Sequence, residues 1–208
     1  MASFITFEGG EGVGKSTQVS LVMEYLKNTN QEAILVRQPG GTQISEAVRA
    51  ILLDPKNTEM CPECEALLYA AARAQLIKEV IKPSLDKGII VVCDRHIDSS
   101  MAYQGYARNL GIDEIIKINE MAVGECVPDA TIFIDLPHDK MFRSKASSLQ
   151  LCDRLEAESQ SFHEKVYEGF RMLAERFSNR IIRIIPCASK QETSKLIIDA
   201  LKNKGVIS

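Results

Sequence analysis

The chain has 208 residues, 45% apolar and 25% charged, with a formal net charge of −3 and a pI near 5.7. That length suits one sizeable core and is short for two. The slightly acidic balance, without any long Lys/Arg stripe, argues against a general binder of nucleic acid or anionic membranes, and no apolar run approaches the roughly 20 residues that span a bilayer.

Short apolar, β-branched runs alternate with longer helical patterns along the chain. The first run, Ser3–Glu8, reads as a buried strand and leads straight into a glycine loop, unlike a secretory leader. A helix follows over Lys15–Thr29, then a strand over Ala33–Arg37 and helices over Thr42–Leu53 and Pro62–Leu85. "DKG" stops the last of these before a strand over Ile89–Asp94. Further on come a helix over Ile112–Glu125, a strand over Thr131–Leu136, a helix over Glu156–Phe177, a strand over Arg180–Ile185 and a helix over Lys190–Lys202. Strands apolar on both faces, each followed by a helix, predict βαβ units and a parallel sheet covered on both sides. The expectation is one α/β domain over residues 1–208. "SKASSLQL" (144–151) is its loosest stretch and reads as part of a short mobile flap, about 143–155.

"GGEGVGKS" (9–16) fits GxxxxGK[ST] between a strand and a helix, the context a phosphate-binding loop requires. Gly9, Gly10, Glu11, Gly12, Val13 and Gly14 curl their backbone N–H groups toward phosphate oxygens, and the helix beginning at Lys15, Ser16 and Thr17 adds its positive end. Lys15 is expected to reach the β- and γ-phosphates, and Ser16 to ligate Mg²⁺. Neither an NKxD guanine-reading stretch nor a DxxG motif occurs, so a switch GTPase is disfavoured, and the chain is small for a motor with its coupling domain. A P-loop regulator that slowly hydrolyses nucleotide is the rival from another class.

A second anion site favours a kinase. "LVRQPGGT" (35–42) and "VVCDRHIDSS" (91–100) put Arg37 and Arg95 at strand ends, where ligands bind in an open α/β sheet. Two guanidinium forks beside one crevice can grip a second phosphate. Tyr69 and Arg73, spaced i,i+4, can point from one helix face into it. Asp94 and Asp135 both end strands and compete as the magnesium-side carboxylate. Ser99 reads as a helix cap. The three histidines are too dispersed for a metal site, and "CPEC" (61–64) lacks a second ligand pair, so it reads as a proline-containing helix entrance. The scattered cysteines suit free thiols in a reducing compartment, and a cytoplasmic protein is expected.

The stretches "FEGGEGVGKSTQ", "RQPGGT", "YAAARAQL", "DRHIDSSMAYQG", "PDATIFIDL" and "DRLEAES" occur in the order found in bacterial thymidylate kinases, and the chain resembles that family of nucleoside monophosphate kinases over most of its length. The resemblance implies a P-loop fold with a five-stranded parallel sheet, a homodimer, and Mg²⁺-dependent transfer of the γ-phosphoryl of ATP to dTMP, giving dTDP for dTTP synthesis. ATP and dTMP would be its partners, with no nucleic acid or membrane. It further implies that Glu11 holds the sugar 3′-hydroxyl, that Arg95 and Arg37 hold the acceptor phosphate, and that Asp94 helps position Mg²⁺. Tyr69 would stack on thymine, Arg73 donate to its carbonyl edge, Ser100 and Gln104 complete the base contacts, and Tyr103 exclude a ribose 2′-hydroxyl. Arg49 would reach the acceptor nucleotide.

The sequence departs from the family in three ways. Tyr69 stands where Phe is common, and Gln38 where bacterial relatives usually carry Glu. The arginine that neutralises transition-state charge, carried by the loop or by the flap in the family, is missing from both usual places: Ser147 and Leu149 occupy the flap positions. Arg143, Lys145 and Arg154 are the remaining cations there, with Arg143 or Arg154 favoured as the substitute.

Overall fold

The computed structural model describes residues 2–136 and 153–208. Five parallel strands, β1 (Phe4–Glu8), β2 (Ala33–Arg37), β3 (Ile90–Asp94), β4 (Ala130–Ile134) and β5 (Ile181–Ile184), lie in the order β2-β3-β1-β4-β5. This is the expected α/β architecture, and the strand bounds fall within a residue or two of those read from the sequence.

The helices are α1 (Lys15–Asn28), α2 (Gln43–Leu53), α3 (Pro62–Leu76), α4 (Lys82–Asp86), α5 (Ile97–Ser100), α6 (Ile112–Val123), α7 (Gln160–Arg176) and α8 (Lys190–Asn203). Their starts follow local chemistry. Thr42 caps α2 by accepting from Ser45 N at 3.2 Å, Pro62 opens α3, and Ser189 and Glu192 form a reciprocal capping box on α8. No helix among the described residues is long and apolar enough to cross a membrane.

Two local departures from the sequence reading bear on the site. The predicted Pro62–Leu85 helix changes to π-helical geometry over Ile77–Ile81 before α4. Pro83 explains the change, because it has no N–H to donate and its ring crowds the carbonyl a turn earlier. The second departure is a helix that the sequence reading left out: α5 continues as a π-helical segment over Met101–Ala107. Such wide turns break the 3.6-residue rhythm and cluster at functional sites.

Alternation along β1 divides the core. Ile5 and Phe7 face α1 and α8, packing with Val22, Leu26, Ile197 and Leu201. Phe4 turns the other way, toward Leu76, Ile81 and Val91. Burying each such side chain is worth about 1.5–3 kcal/mol. By the same period Glu8, the last residue of β1, is carried to the α5 side at the carboxyl edge of the sheet, and it is fully buried.

Candidate active site

The glycine loop closes between β1 and α1. Gly9 has φ +138°, and a Cβ there would lie 2.8 Å from the Ile134 carbonyl oxygen; Gly12 and Gly14 also have positive φ, +71° and +91°. Only glycine fits that path without strain. Val13 anchors the loop in the core. Lys15 is buried, and its Nζ donates to Gly9 O at 3.1 Å and Gly10 O at 2.7 Å, so the ammonium sits within the loop. Burial, then the charge of Arg95, push Lys15 down to about 8, against the pull of Glu11 and Asp94. Ser16 and Thr17 are exposed on the first turn of α1, with Ser16 Oγ 3.4 Å from Asp94 Oδ2.

Facing the loop is the end of β3. Arg95 has φ +66°, a left-handed conformation that is strained for a side chain of its size and typical of residues held for a purpose. Its guanidinium donates to Gly9 O at 3.0 Å and Ser99 Oγ at 3.1 Å, pairs with Glu11, and lies 5.4 Å from the Tyr103 ring centroid. Beneath it, Glu8 accepts from His96 N at 2.7 Å, Ser99 N at 3.3 Å and Ser99 Oγ at 2.5 Å. Ser99 is therefore not the expected helix cap; His96 occupies the cap position of α5, and the Ser99 hydroxyl links Glu8 to Arg95. Burial, then the neighbouring Asp98 carboxylate, push Glu8 up to about 7.

The far end of the cleft is built by α3 and the 97–107 helix. Arg73 is 1% exposed and donates to Gln38 Oε1 at 3.0 Å, His96 O at 3.2 Å, Ser100 Oγ at 2.8 Å and Asn119 Oδ1. All four acceptors are neutral. Gln38 orients Arg73 through its carbonyl oxygen, and its buried Nε2 has no partner among the described residues. His96 is buried, and burial, then Arg73, hold its imidazole well below its usual value, so it stays neutral. Arg37 is half exposed and paired with both oxygens of Glu46 at 2.9 Å; Arg49 donates to Pro39 O at 2.9 Å.

These elements enclose a cleft of about 200 Å³ lined by most of the residues singled out in the sequence: Glu11, Arg37, Arg49, Tyr69, Arg73, Asp94, Arg95, Ser100, Tyr103 and Gln104. Arg154 does not line it. Its side chain is 9% exposed and held by Glu65 Oε2 at 2.6 Å and Leu52 O at 2.9 Å. Asp135, the rival to Asp94, is engaged by Tyr167 at 2.8 Å and by Arg183. Arg143 and Lys145 lie outside the described residues. Sequence reasoning missed Glu8, which reads as an ordinary strand end, and Glu65, which reads as helix surface; the one available signal was that Glu8 immediately precedes the glycine loop.

A family model described as thymidylate kinase matches residues 7–200. Among curated relatives, the thymidylate kinase of Oceanobacillus iheyensis is 45% identical over 206 residues, 97% of this chain and 92% of the relative. That of Geobacillus sp. (strain WCH70) is 45% identical over 202 residues, 97% and 96% of the two chains. The crystal structure of thymidylate kinase from Ehrlichia chaffeensis superposes with a TM-score of 0.77 at 32% identity, covering 96% of this chain and 98% of that one. With the phosphate loop, the strand-end arginine and the Tyr69–Arg73 helix face converging on one cleft, the chain belongs to the thymidylate kinase family.

Proposed function

We propose that the protein transfers the γ-phosphoryl group of ATP to dTMP, giving dTDP and ADP. One observation carries this reading: Arg95, an anion-gripping fork, stands directly across from the phosphate loop and beside a base-sized recess lined by Tyr69, Arg73 and Gln104. A donor phosphate on the loop and an acceptor phosphate on Arg95 would meet end to end. A phosphate oxygen of dTMP attacks the γ-phosphorus, the bond to the β–γ bridging oxygen breaks, and ADP leaves with that electron pair. The acceptor is already an anion, so no general base is required. Catalysis rests on alignment and on cations facing the developing charge.

Lys15 would follow the transferring group, leaving the loop carbonyls that it contacts here for phosphate oxygens. Glu11 would exchange its bond to Arg95 for the sugar 3′-hydroxyl. Tyr103, 5% exposed and packed on Phe162 and Phe170, would form the wall that excludes a ribose hydroxyl. Ser16 and Asp94 suit Mg²⁺, a hard cation that takes few protein oxygens and keeps several waters. Bound there, it would neutralise phosphate charge.

A homodimer fits the packed layer of α2, α3 and α6, which exposes Ile44, Ile51, Leu67 and Met121. Sedimentation as a monomer at micromolar concentration would count against it. The free cysteines among the described residues (Cys61, Cys64, Cys93, Cys126 and Cys187) fit a reducing, cytoplasmic setting. The test of function is a phosphoryl-transfer assay of the purified chain with ATP, Mg²⁺ and dTMP, dUMP, UMP, dCMP or AMP. Preferred conversion of dTMP is expected; ATP hydrolysis indifferent to every acceptor would overturn the reading.

A further inference from the structure

We propose that Glu65 is a positioning residue for base selection: it takes an N–H of Gln104, which turns the Gln104 carbonyl oxygen into the cleft to accept from a pyrimidine N3–H and to reject cytosine. The inference rests on the reading of the cleft as the dTMP site.

Glu65 lies on α3 one turn before Tyr69 and two before Arg73, on the helix face that lines the cleft. It is 1% exposed, and three side chains, Gln104, Arg108 and Arg154, donate to its carboxylate. Oε1 accepts from Gln104 Nε2 at 2.8 Å and Arg108 Nε at 3.4 Å. Oε2 accepts from Arg154 Nη2 at 2.6 Å and Arg108 Nη2 at 3.2 Å. Arg108 is itself fixed by Glu158 at 2.5 Å and by the Phe162 ring, whose centroid lies 4.4 Å from its guanidinium carbon.

Two guanidiniums on one carboxylate keep it ionised. Burial pushes the Glu65 carboxyl up, but the bonds from Gln104, Arg108 and Arg154 outweigh burial and hold it below the usual carboxylate value. An ionised carboxylate only accepts hydrogen bonds, so the Gln104 amide can face it only with its NH₂ group. The orientation of this amide is therefore dictated by a charge. Gln104 Oε1 is left as the unspent acceptor: it has no partner among the described residues, and Gln104 lines the cleft while being 1% exposed.

The chemistry of the base then decides. Thymine and uracil carry N3–H, a donor, and satisfy Oε1. Cytosine carries a lone pair at N3, and two buried acceptors would face each other. A site that leaves a buried polar group unpaired against the wrong ligand discriminates more strongly than one that only loses a contact. Reversing the amide would reverse the preference. The device does not sense the 5-methyl group, so thymine and uracil are alike to it.

The experiment measures kcat/KM of the purified full chain with ATP, Mg²⁺ and dTMP, dUMP or dCMP. Glu65→Gln frees the amide to turn, so the dCMP:dTMP ratio should rise at least about tenfold while the dUMP:dTMP ratio stays within about twofold. The exchange Glu65→Gln with Gln104→Glu puts an acceptor back at residue 104 and should return the ratio toward wild type. A merely structural role would lower turnover of all three nucleotides together, and unchanged ratios in a folded Glu65→Gln protein would overturn the inference. Should that variant not fold, the wild-type chain still tests it: N3-methyl-dTMP, which lacks the donor, should bind at least about tenfold more weakly than dTMP, and equal binding overturns the inference. Gln104→Leu separates the two readings. Undiminished use of dTMP by that variant removes Gln104 from the base site altogether, whereas impaired use with an indifferent Glu65→Gln defeats only the role of Glu65.

Discussion

Arg95 and Glu11 form an ion pair across the mouth of the cleft, joining the end of β3 to the interior of the phosphate loop. Arg95 also donates to the loop carbonyl of Gly9 at 3.0 Å, so the guanidinium is held in place by groups that an incoming phosphate can displace. The fork is preorganised and its charge is balanced before substrate arrives, which lowers the ordering cost at the moment of binding.

Arg95→Ala should therefore act on the acceptor far more than on the donor. Removing a charge-assisted, two-pronged grip costs roughly 1.5–3 kcal/mol, so dTMP binding should weaken at least about tenfold. ATP affinity should stay within about threefold, since the donor phosphates would be held by loop N–H groups and Lys15. Separate titrations with dTMP and with a non-hydrolysable ATP analogue measure both. Equal weakening of the two would move Arg95 out of the acceptor site.

Glu8 lies one layer deeper, and its carboxylate ties His96 N and Ser99 into the frame that carries Arg95. Its neighbours are the Asp98 carboxylate, itself paired with Arg180, and the Arg95 guanidinium. With its carboxyl raised from 4.5 to about 7, Glu8 favours folding most when protonated. That contribution is fully present below pH 4.5 and is lost as pH rises through about 7. Glu8→Gln cannot lose it, so the stability difference between wild type and variant should move in the variant's favour from pH 4.5 to pH 8. At 1.36 kcal/mol per unit the change reaches about 3 kcal/mol. Urea unfolding of both proteins across that range measures it; a difference that does not vary with pH would show that Glu8 titrates in its ordinary range. His96, held neutral in the folded state, takes up its proton on unfolding in both proteins, so its contribution cancels in the difference.

How much of this was legible in the sequence depends on how local each feature is. The strands were readable because a parallel strand is apolar on both faces, and the phosphate loop because its glycines are required by its own backbone path. Arg95 was readable from its place at a strand end. The 97–107 helix was not, since π-helical turns abolish the rhythm that would reveal it and Ser99 and Ser100 resemble caps. Glu65 was least legible. Its partner Arg154 lies 89 residues away in the chain and Gln104 lies 39 away, and nothing within α3 itself marks a carboxylate that two later segments will surround. Gln38 was visible as an expected departure, but its contact was not: with Gln38 beside it, the buried Arg73 has neutral hydrogen-bond acceptors alone.

The transition-state arginine that the sequence reading does not find at either expected place is the remaining question for the mechanism. Such an arginine is worth roughly 10³–10⁵ in rate, so another cation is expected to act in its place. Arg154 was one of two favoured substitutes, yet its guanidinium is bound to Glu65 and to the Leu52 carbonyl and is nearly closed to solvent. Releasing it would strip a buried carboxylate of one of its two cations, a loss of the kind that costs a few kcal/mol. With Arg154 so engaged, the expectation passes to Arg143 or Lys145, both outside the described residues, and Arg154 is expected to act on structure. Arg143 is the stronger candidate, because a planar fork can bridge two phosphate oxygens where an ammonium offers a point charge. Arg154→Ala should lower the unfolding midpoint and disturb the Glu65 cluster. Arg143→Ala should lower kcat at least about tenfold, or about 1.4 kcal/mol, with an unchanged midpoint and little change in dTMP affinity. If Lys145 carries the charge instead, Lys145→Ala will show that signature in its place. Arginine at Leu149 or Ser147 should then partly rescue whichever variant is slow. A fall in kcat for Arg154→Ala with normal stability, beside wild-type rates for the other two, would reverse the assignment and require Arg154 to leave Glu65 during turnover.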